Sequence, residues 1–438
     1  MFFISTFAHW HILKMNVASF IAKRIAFNKQ KSFSRFIIRL ATAATAVSVA
    51  AMIITLAFVE GFQESIGQKV FSFWGHLRVQ QFEPNRALVA EESSMQKDAA
   101  VYRLIKNTPD VKQIQAYATK LTVLEKNKEI EGVLIKGVEE NYDFKMLQPF
   151  LKSGRWIDFK DTAYSKELVL SQNIADKLQV HVGDTVSCIF MASNNPKTNT
   201  NIASSLLSGV KPVIRKVSVV GIYKVGIEDY DKLFALADIR LLRKSNNWSS
   251  TQIGAYEVFL NNYHQIDTAS NYLNNQLPPE WMSRSIKEVF PNIFGWLGIL
   301  DVNRNVIFLV MSAVAIINLI TCLLIFALER IRMIGVLKAL GSTDAVIQKI
   351  FLYHATLIAL RGVIIGFLFG AGICLLQQYT GFIKLDETAY FISYAPVKII
   401  WWQVILVCLA SLAVCFLALI LPALFVRSIK PVRAIRFE

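Results

Sequence analysis

The sequence predicts an α-helical membrane protein of four transmembrane helices, with an α+β extracytoplasmic domain inserted between helices 1 and 2. Three observations predict it. The 438 residues are 54% hydrophobic yet 18% charged, too apolar for an ordinary soluble chain and too charged to lie in lipid throughout. Four runs reach the roughly 20 apolar residues that a bilayer core requires. The charge is also uneven: residues 61–303 hold 28 Lys+Arg against 26 Asp+Glu, so most of the net +15 lies outside them.

Residues 1–39 carry Lys14, Lys23, Arg24, Lys29, Lys31, Arg35 and Arg39 and no acid. They read as a cytoplasmic basic amphipathic segment. Its regular part opens at Met15, and residues 1–14 read either as the product of an upstream start codon or as a dispensable extension. Transmembrane helix 1 is placed at 40–60. It begins too far into the chain for a cleaved signal peptide and lacks a small-x-small site, so it reads as an anchor. Short basic flanks stay in the cytoplasm. With four spans both termini are then cytoplasmic, and residues 61–303 lie outside. Basic residues beside spans answer to topology and anionic lipid, which excludes a nucleic-acid reading.

Within 61–303, alternating runs predict strands at His76–Gln80, Lys120–Leu124, Val133–Gly137, Glu167–Leu170, Thr185–Phe190 and Lys216–Val225. Helical runs lie at Ala99–Asn107, Ser171–Leu178, Asp238–Lys244 and Ile266–Gln276. That mixture is α+β. Met191 to Pro212, rich in Asn, Ser and Thr, reads as a protruding loop or long hairpin, and composition alone favours idle surface for it. Glu228, Asp229 and Asp231 read as solvated surface or a weak cation site. Cys188 has no second cysteine within 61–303, so no disulfide forms inside that domain.

Asn303-Arg304-Asn305 marks the return to the membrane, with helix 2 at 304–328. A loop at 329–349 follows, in which Ile331, Ile334, Leu337 and Leu340 repeat every three residues. It reads as a short amphipathic helix stopped at Gly341, after which Ser342 or Thr343 caps the next helix. Helix 3 is placed at 350–378, an outer loop at 379–400, helix 4 at 401–426 behind Trp401 and Trp402, and a basic cytoplasmic tail at 427–438. Asn318 in helix 2 reads as an interhelical hydrogen bonder. Arg361 in helix 3 either meets a headgroup or partner helix near mid-bilayer or snorkels from a longer cytoplasmic portion.

The chain carries no GxxxxGK[ST] loop, HExxH or CxxC, and its six histidines are scattered. No nucleophile–base pair, cofactor site or metal site is legible. The reading is a membrane component without an active site of its own.

Several stretches in order carry a resemblance. They are Phe20-Ile-Ala-Lys-Arg, Phe58-Val-Glu-Gly-Phe-Gln-Glu, Glu167-Leu-Val-Leu-Ser with Leu178-Gln-Val-His-Val-Gly-Asp-Thr-Val, and Val219-Val-Gly-Ile-Tyr with Asp229-Tyr-Asp. Ile317-Asn-Leu-Ile through Gly341, and Leu421-Pro-Ala with Lys430-Pro-Val-Arg-Ala-Ile-Arg-Phe-Glu, complete them. From Met15 to Glu438 the chain resembles the FtsX/MacB-type permeases of ABC transporters, and most of all the LolC/LolE-type lipoprotein-releasing permeases. Glu60 stands where that family usually has Asn, and Arg361 where it usually has a small residue.

The resemblance implies a MacB-like periplasmic core domain, with a distal inserted part near 133–218. It implies a Gram-negative inner-membrane permease that extracts lipoproteins. The implied partners are a separate cytoplasmic ATPase of the LolD type, a second permease copy or paralogue, a periplasmic carrier of the LolA type, lipoprotein cargo and bilayer lipid. Arg330, Ile331, Arg332, Met333, Ile334, Gly335, Val336, Leu337, Lys338, Ala339, Leu340 and Gly341 would form the ATPase-coupling helix. The stretch containing Met191, Pro196, Pro212 and Arg215 would dock the carrier. The alternatives are an FtsX-like permease that transmits motion to a cell-wall hydrolase, or a MacB-like efflux permease with a split ATPase.

Overall fold

A computed structural model describes residues 33–83, 91–160, 163–190 and 212–427. They fall into two units, one within Met1–Gln63, Leu297–Lys384 and Ala395–Glu438, the other within Glu64–Trp296 and Leu385–Tyr394.

The first unit is helical. Its helices are α1 (Phe33–Trp74) as far as Gln63, α2 (Pro291–Glu329) from Leu297, α3 (Ile331–Ala339), α4 (Asp344–Thr380) and α5 (Trp401–Arg427). Among the described residues, Phe36–Trp74, Pro291–Glu329 and Asp344–Thr380 are long and apolar enough to cross a membrane; Trp401–Leu417 is a shorter apolar stretch of α5. Ala41 of α1, Leu319 and Cys322 of α2, Ala355 and Ile358 of α4 and Cys415 of α5 share one buried cluster. A second joins Val49 and Ile53 to Val363, Val404 and Val407.

Gly362, Gly366 and Gly370, one turn apart on α4, face α1. A Cβ on Gly366 would lie 2.5 Å from the Ala46 carbonyl oxygen and 2.9 Å from Val49 Cβ, and one on Gly362 2.7 Å from Thr45 Cβ. Without a hydrophobic driving force in lipid, such close backbone approach supplies the packing.

Hydropathy set helix 1 at 40–60 and helix 2 from 304. The helices themselves are longer at their outer ends, α1 running to Trp74 and α2 starting at Pro291. Asn303-Arg304-Asn305 is therefore inside a helix, where Arg304 pairs with Asp301 at 2.9 Å. A helix satisfies its own backbone in water or lipid, so a hydropathy window finds the lipid-compatible part and not the helix end.

The second unit is α+β. Its strands are β1 (Leu77–Gln81), β2 (Met95–Gln96), β3 (Val111–Lys126), β4 (Glu129–Val138), β5 (Leu151–Gly154), β6 (Glu167–Ser171), β7 (Thr185–Phe190), β8 (Val213–Tyr223), β9 (Phe234–Asp238), β10 (Gln252–Ile253), β11 (Ala255–Leu260) and β12 (Trp281–Ser285). Ten form one sheet in the order β12-β1-β11-β3-β4-β9-β6-β8-β5, with β7 joining β3 to β8; β2 and β10 pair apart. β4–β9 and β6–β8 are parallel. β3 and β4 form a hairpin whose turn residues, Asn127 and Lys128, both have positive φ, the geometry that follows strand twist.

Helices Ala99–Asn107, Gln172–Leu178, Ile239–Asn246 and Ile266–Gln276 accompany the sheet. Three start where a side chain accepts an otherwise orphaned amide: Asp98 from Ala100, Ser171 from Ile174 and Asp238 from Arg240. The last turn of α1 inserts Phe73 and Trp74 among Tyr117, Tyr223, Tyr230 and Phe234.

Candidate coupling site and outer-unit sites

The polar break after α2 falls at Arg330, whose amide still bonds to the carbonyls of Phe326 and Ala327 at 3.2 Å. There the backbone leaves helical geometry, and α3 begins at Ile331. Ile334 and Gly335 are buried. Ile334 packs in a cluster with Phe326 and Ala327 of α2 and Ile347 and Phe351 of α4, flanked by Met333 and Leu337. The short helix is thus fixed to the ends of two long ones.

Gly341 ends it at φ +90, a conformation that favours glycine, and the Ser342 amide returns to the Leu337 carbonyl at 3.0 Å. Lys338 bridges to Asp344 at the start of α4 at 2.9 Å. Thr343 occupies the N-cap position of α4, but its side chain makes no cap bond; the expected hydroxyl cap is absent.

The three-residue repeat does not make one face. At 100° per residue, positions nine apart lie on opposite sides of a helix. Leu340 is accordingly 78% exposed and Val336 53%. Arg332 and Ala339 are exposed with them. α3 therefore has an inner apolar face on α2 and α4 and an outer face of Arg332, Val336, Ala339 and Leu340.

Asn318 is half-buried in α2. Arg361 is half-buried at the middle of α4, beside the Gly362 that meets Thr45. Met191 and Pro196 lie outside the described residues. Pro212 is exposed just before β8, and Arg215 is half-buried within it, opposite Cys188 of β7. Cys188 is buried and free, and desolvation pushes its thiol up to about 12.

Of the acidic residues, Glu228 is exposed, as a surface reading expects, whereas Asp231 is not plain surface. Asp231 is buried and accepts from the amides of Val225 and Gly226 at 3.0 and 2.8 Å. Burial raises its pKa, against those amide bonds. Glu228 pairs with Lys232. Among the described residues no three His, Cys, Asp or Glu gather as metal ligands.

Sequence reasoning missed a buried charge network in the second unit. Lys136 Nζ donates to Glu257 Oε2 at 2.6 Å, to the Phe73 carbonyl at 2.5 Å and to Tyr142 OH at 3.2 Å. Arg78 and Glu92 approach to 3.7 Å, and the Thr119 hydroxyl donates to Glu92. Burial lowers the Lys136 pKa and raises that of Glu257, each opposed by the other's charge. The one available signal was a lysine inside the apolar run Val133-Leu-Ile-Lys-Gly.

Comparison with known proteins gives two family matches. The FtsX-like permease C-terminal model matches residues 305–431, and the MacB-like periplasmic core domain model matches residues 40–273. The lipoprotein-releasing system transmembrane protein LolE of Haemophilus influenzae is 22% identical over 435 residues, 96% of this chain and 99% of that protein. The protein named LolC of that system in Neisseria meningitidis serogroup B is 23% identical over 431 residues, 94% of this chain and 96% of that one. Of solved structures, the periplasmic region of MacB from Actinobacillus actinomycetemcomitans is 13% identical and covers 50% of this chain and 91% of its own, with a TM-score of 0.32. The extracellular domain of the transporter YknZ from Gram-positive bacteria is 15% identical and covers 48% and 99%, with a TM-score of 0.31.

Proposed function

The chain belongs to the family defined by the MacB-like periplasmic core domain, here followed by an FtsX-like permease C-terminal segment, and from that premise we propose that it is the permease of an ABC transporter that releases lipoproteins from the inner membrane. The observation that carries the reading is the end-to-end similarity to proteins named for lipoprotein release, across both the outer unit and the helices.

In this reading the chain crosses the membrane four times, with 61–303 periplasmic, 379–400 an outer loop and both termini cytoplasmic. A separate ATPase of the LolD type binds the outer face of α3. Nucleotide-driven closure pushes on α3, whose inner face passes the displacement to α2 and α4. A second copy or paralogue completes the transporter, and α1 and α2 line the path for the acyl chains. Each buried CH₂ contributes about 0.8 kcal/mol to anchoring, so multiply acylated cargo needs this work to leave. The stretch Met191–Pro212, with Arg215, receives a carrier of the LolA type.

Depletion followed by membrane fractionation tests the proposal. Lipoproteins accumulating in the inner membrane support it. Unchanged sorting together with a division or wall defect would overturn it in favour of an FtsX-like transmitter.

A further inference from the structure

The Val219-Val-Gly-Ile-Tyr…Asp229-Tyr-Asp stretch has a conspicuous geometry that the release reading leaves unused. Between β8 and helix Glu228–Leu233, the chain turns at Lys224-Val225-Gly226. Asp231 holds this turn by both amides, and its own backbone carbonyl accepts from the buried Ser171 hydroxyl. Gly226 has φ +81. A Cβ there would lie 2.9 Å from Lys69 Nζ, 3.1 Å from Glu387 Oε1 and 3.4 Å from the Phe391 carbonyl oxygen. Three segments distant in sequence therefore converge on one glycine: the last turns of α1, this turn, and the loop between α4 and α5.

The polar contacts are directed. Lys69 Nζ donates to the Phe391 carbonyl at 2.6 Å, and Lys224 Nζ to Glu387 Oε2 at 2.9 Å. The loop is itself knitted, with Leu385 N to Ser393 O at 3.1 Å and Phe391 N to Glu387 O at 3.0 Å. Phe391 sits at φ +62, a strained setting for a residue with a side chain, which persists only where the surroundings impose it. Residues 385–394 group with the outer unit although the chain on either side, to Lys384 and from Ala395, groups with the helices.

We propose that residues 385–394 are a clamp: Lys69 and Lys224 hold the loop between α4 and α5 onto the Gly226 turn. A displacement of α4 and α5 then reaches the outer unit through this loop, as a third covalent route beside α1 and α2. This deepens the permease reading and rests on it for its purpose, whereas the first test below does not.

The test uses the full-length chain in lipid nanodiscs with its ATPase, read by hydrogen exchange at residues 385–394. Lys69→Met and Glu387→Lys should each speed exchange there about tenfold, the scale of losing a charged hydrogen bond. The double exchange Lys224→Glu with Glu387→Lys should return it to near wild type. Unchanged exchange in Glu387→Lys, or a double variant as fast as the single one, would overturn the clamp. As a second readout, Glu387→Lys should lower lipoprotein release per ATP hydrolysed several-fold, with recovery in the double variant; unaltered coupling would also overturn it. A wild-type chain that releases no lipoprotein sinks the permease reading instead, because the exchange measurement needs no cargo.

Discussion

Lys136 and Glu257 meet at 2.6 Å with neither side chain exposed, and the same ammonium holds the Phe73 carbonyl at 2.5 Å in the last turn of α1. A cation at the carbonyl end of a helix is favourably placed against its dipole. Here it also fixes that end to β4 and β11.

Removing one member of a buried pair strands the other. Lys136→Met should destabilise the outer unit by about 3–5 kcal/mol, seen in tryptophan-monitored denaturant unfolding of the full chain. Adding Glu257→Leu should recover at least half of that, because no lone carboxylate then remains buried. A double variant no better than the single one would contradict the pairing.

His76 sets a pH dependence. Its Nδ1 accepts from the Leu260 amide at 3.0 Å, its ring lies on Phe71, and burial lowers its pKa from 6.5 to about 4. The unfolded chain takes up a proton at higher pH than the folded one, so stability falls as pH drops from 6.5 towards 4. The full loss is roughly 3 kcal/mol. Unfolding midpoints of wild type and His76→Gln across that window check it: the variant should lose most of the slope.

The glycine row offers a sharp contrast within one helix. Gly366→Leu must push α4 off α1, an overpacking cost of about 1–3 kcal/mol. It should lower the aggregation temperature of the detergent-solubilised chain. Gly372→Leu, where a Cβ meets nothing within 4 Å, should leave it unchanged. Equal effects would refute the close approach.

The two faces of α3 should separate by phenotype. Leu340→Asp alters only the outer face and should reduce co-purified ATPase about tenfold, as for a buried interface anchor, with chain levels intact. Ile334→Ala opens the inner cluster and should cost about 2–5 kcal/mol of stability. Retained ATPase in Leu340→Asp would exclude the outer face as the docking surface.

What was legible in the sequence was local. Helices Ala99–Asn107 and Ile266–Gln276 and strand β7 have the ends that periodicity sets, and Ser171 and Asp238 are caps rather than helical residues. β9 and β11 escaped because every residue in them is buried, which removes the alternation that betrays a strand. α3 was legible as a helix, yet its two faces were not, since a spacing of three rotates steadily around the axis. The Lys136–Glu257 pair and the contacts of Lys69 and Lys224 join positions more than a hundred residues apart, and only the folded chain brings them together.

β3 deserves a mechanical reading. Its first half pairs with β11 and its second with β7, while β4 runs along the other edge from Tyr117 to Lys126. One unbroken strand thus serves two neighbourhoods of the outer unit. Anything pulled at the β7 end cannot swing on a linker; it must twist a hydrogen-bonded ribbon. The outer unit would then behave as a torsion spring, returning to its resting shape when the load is released.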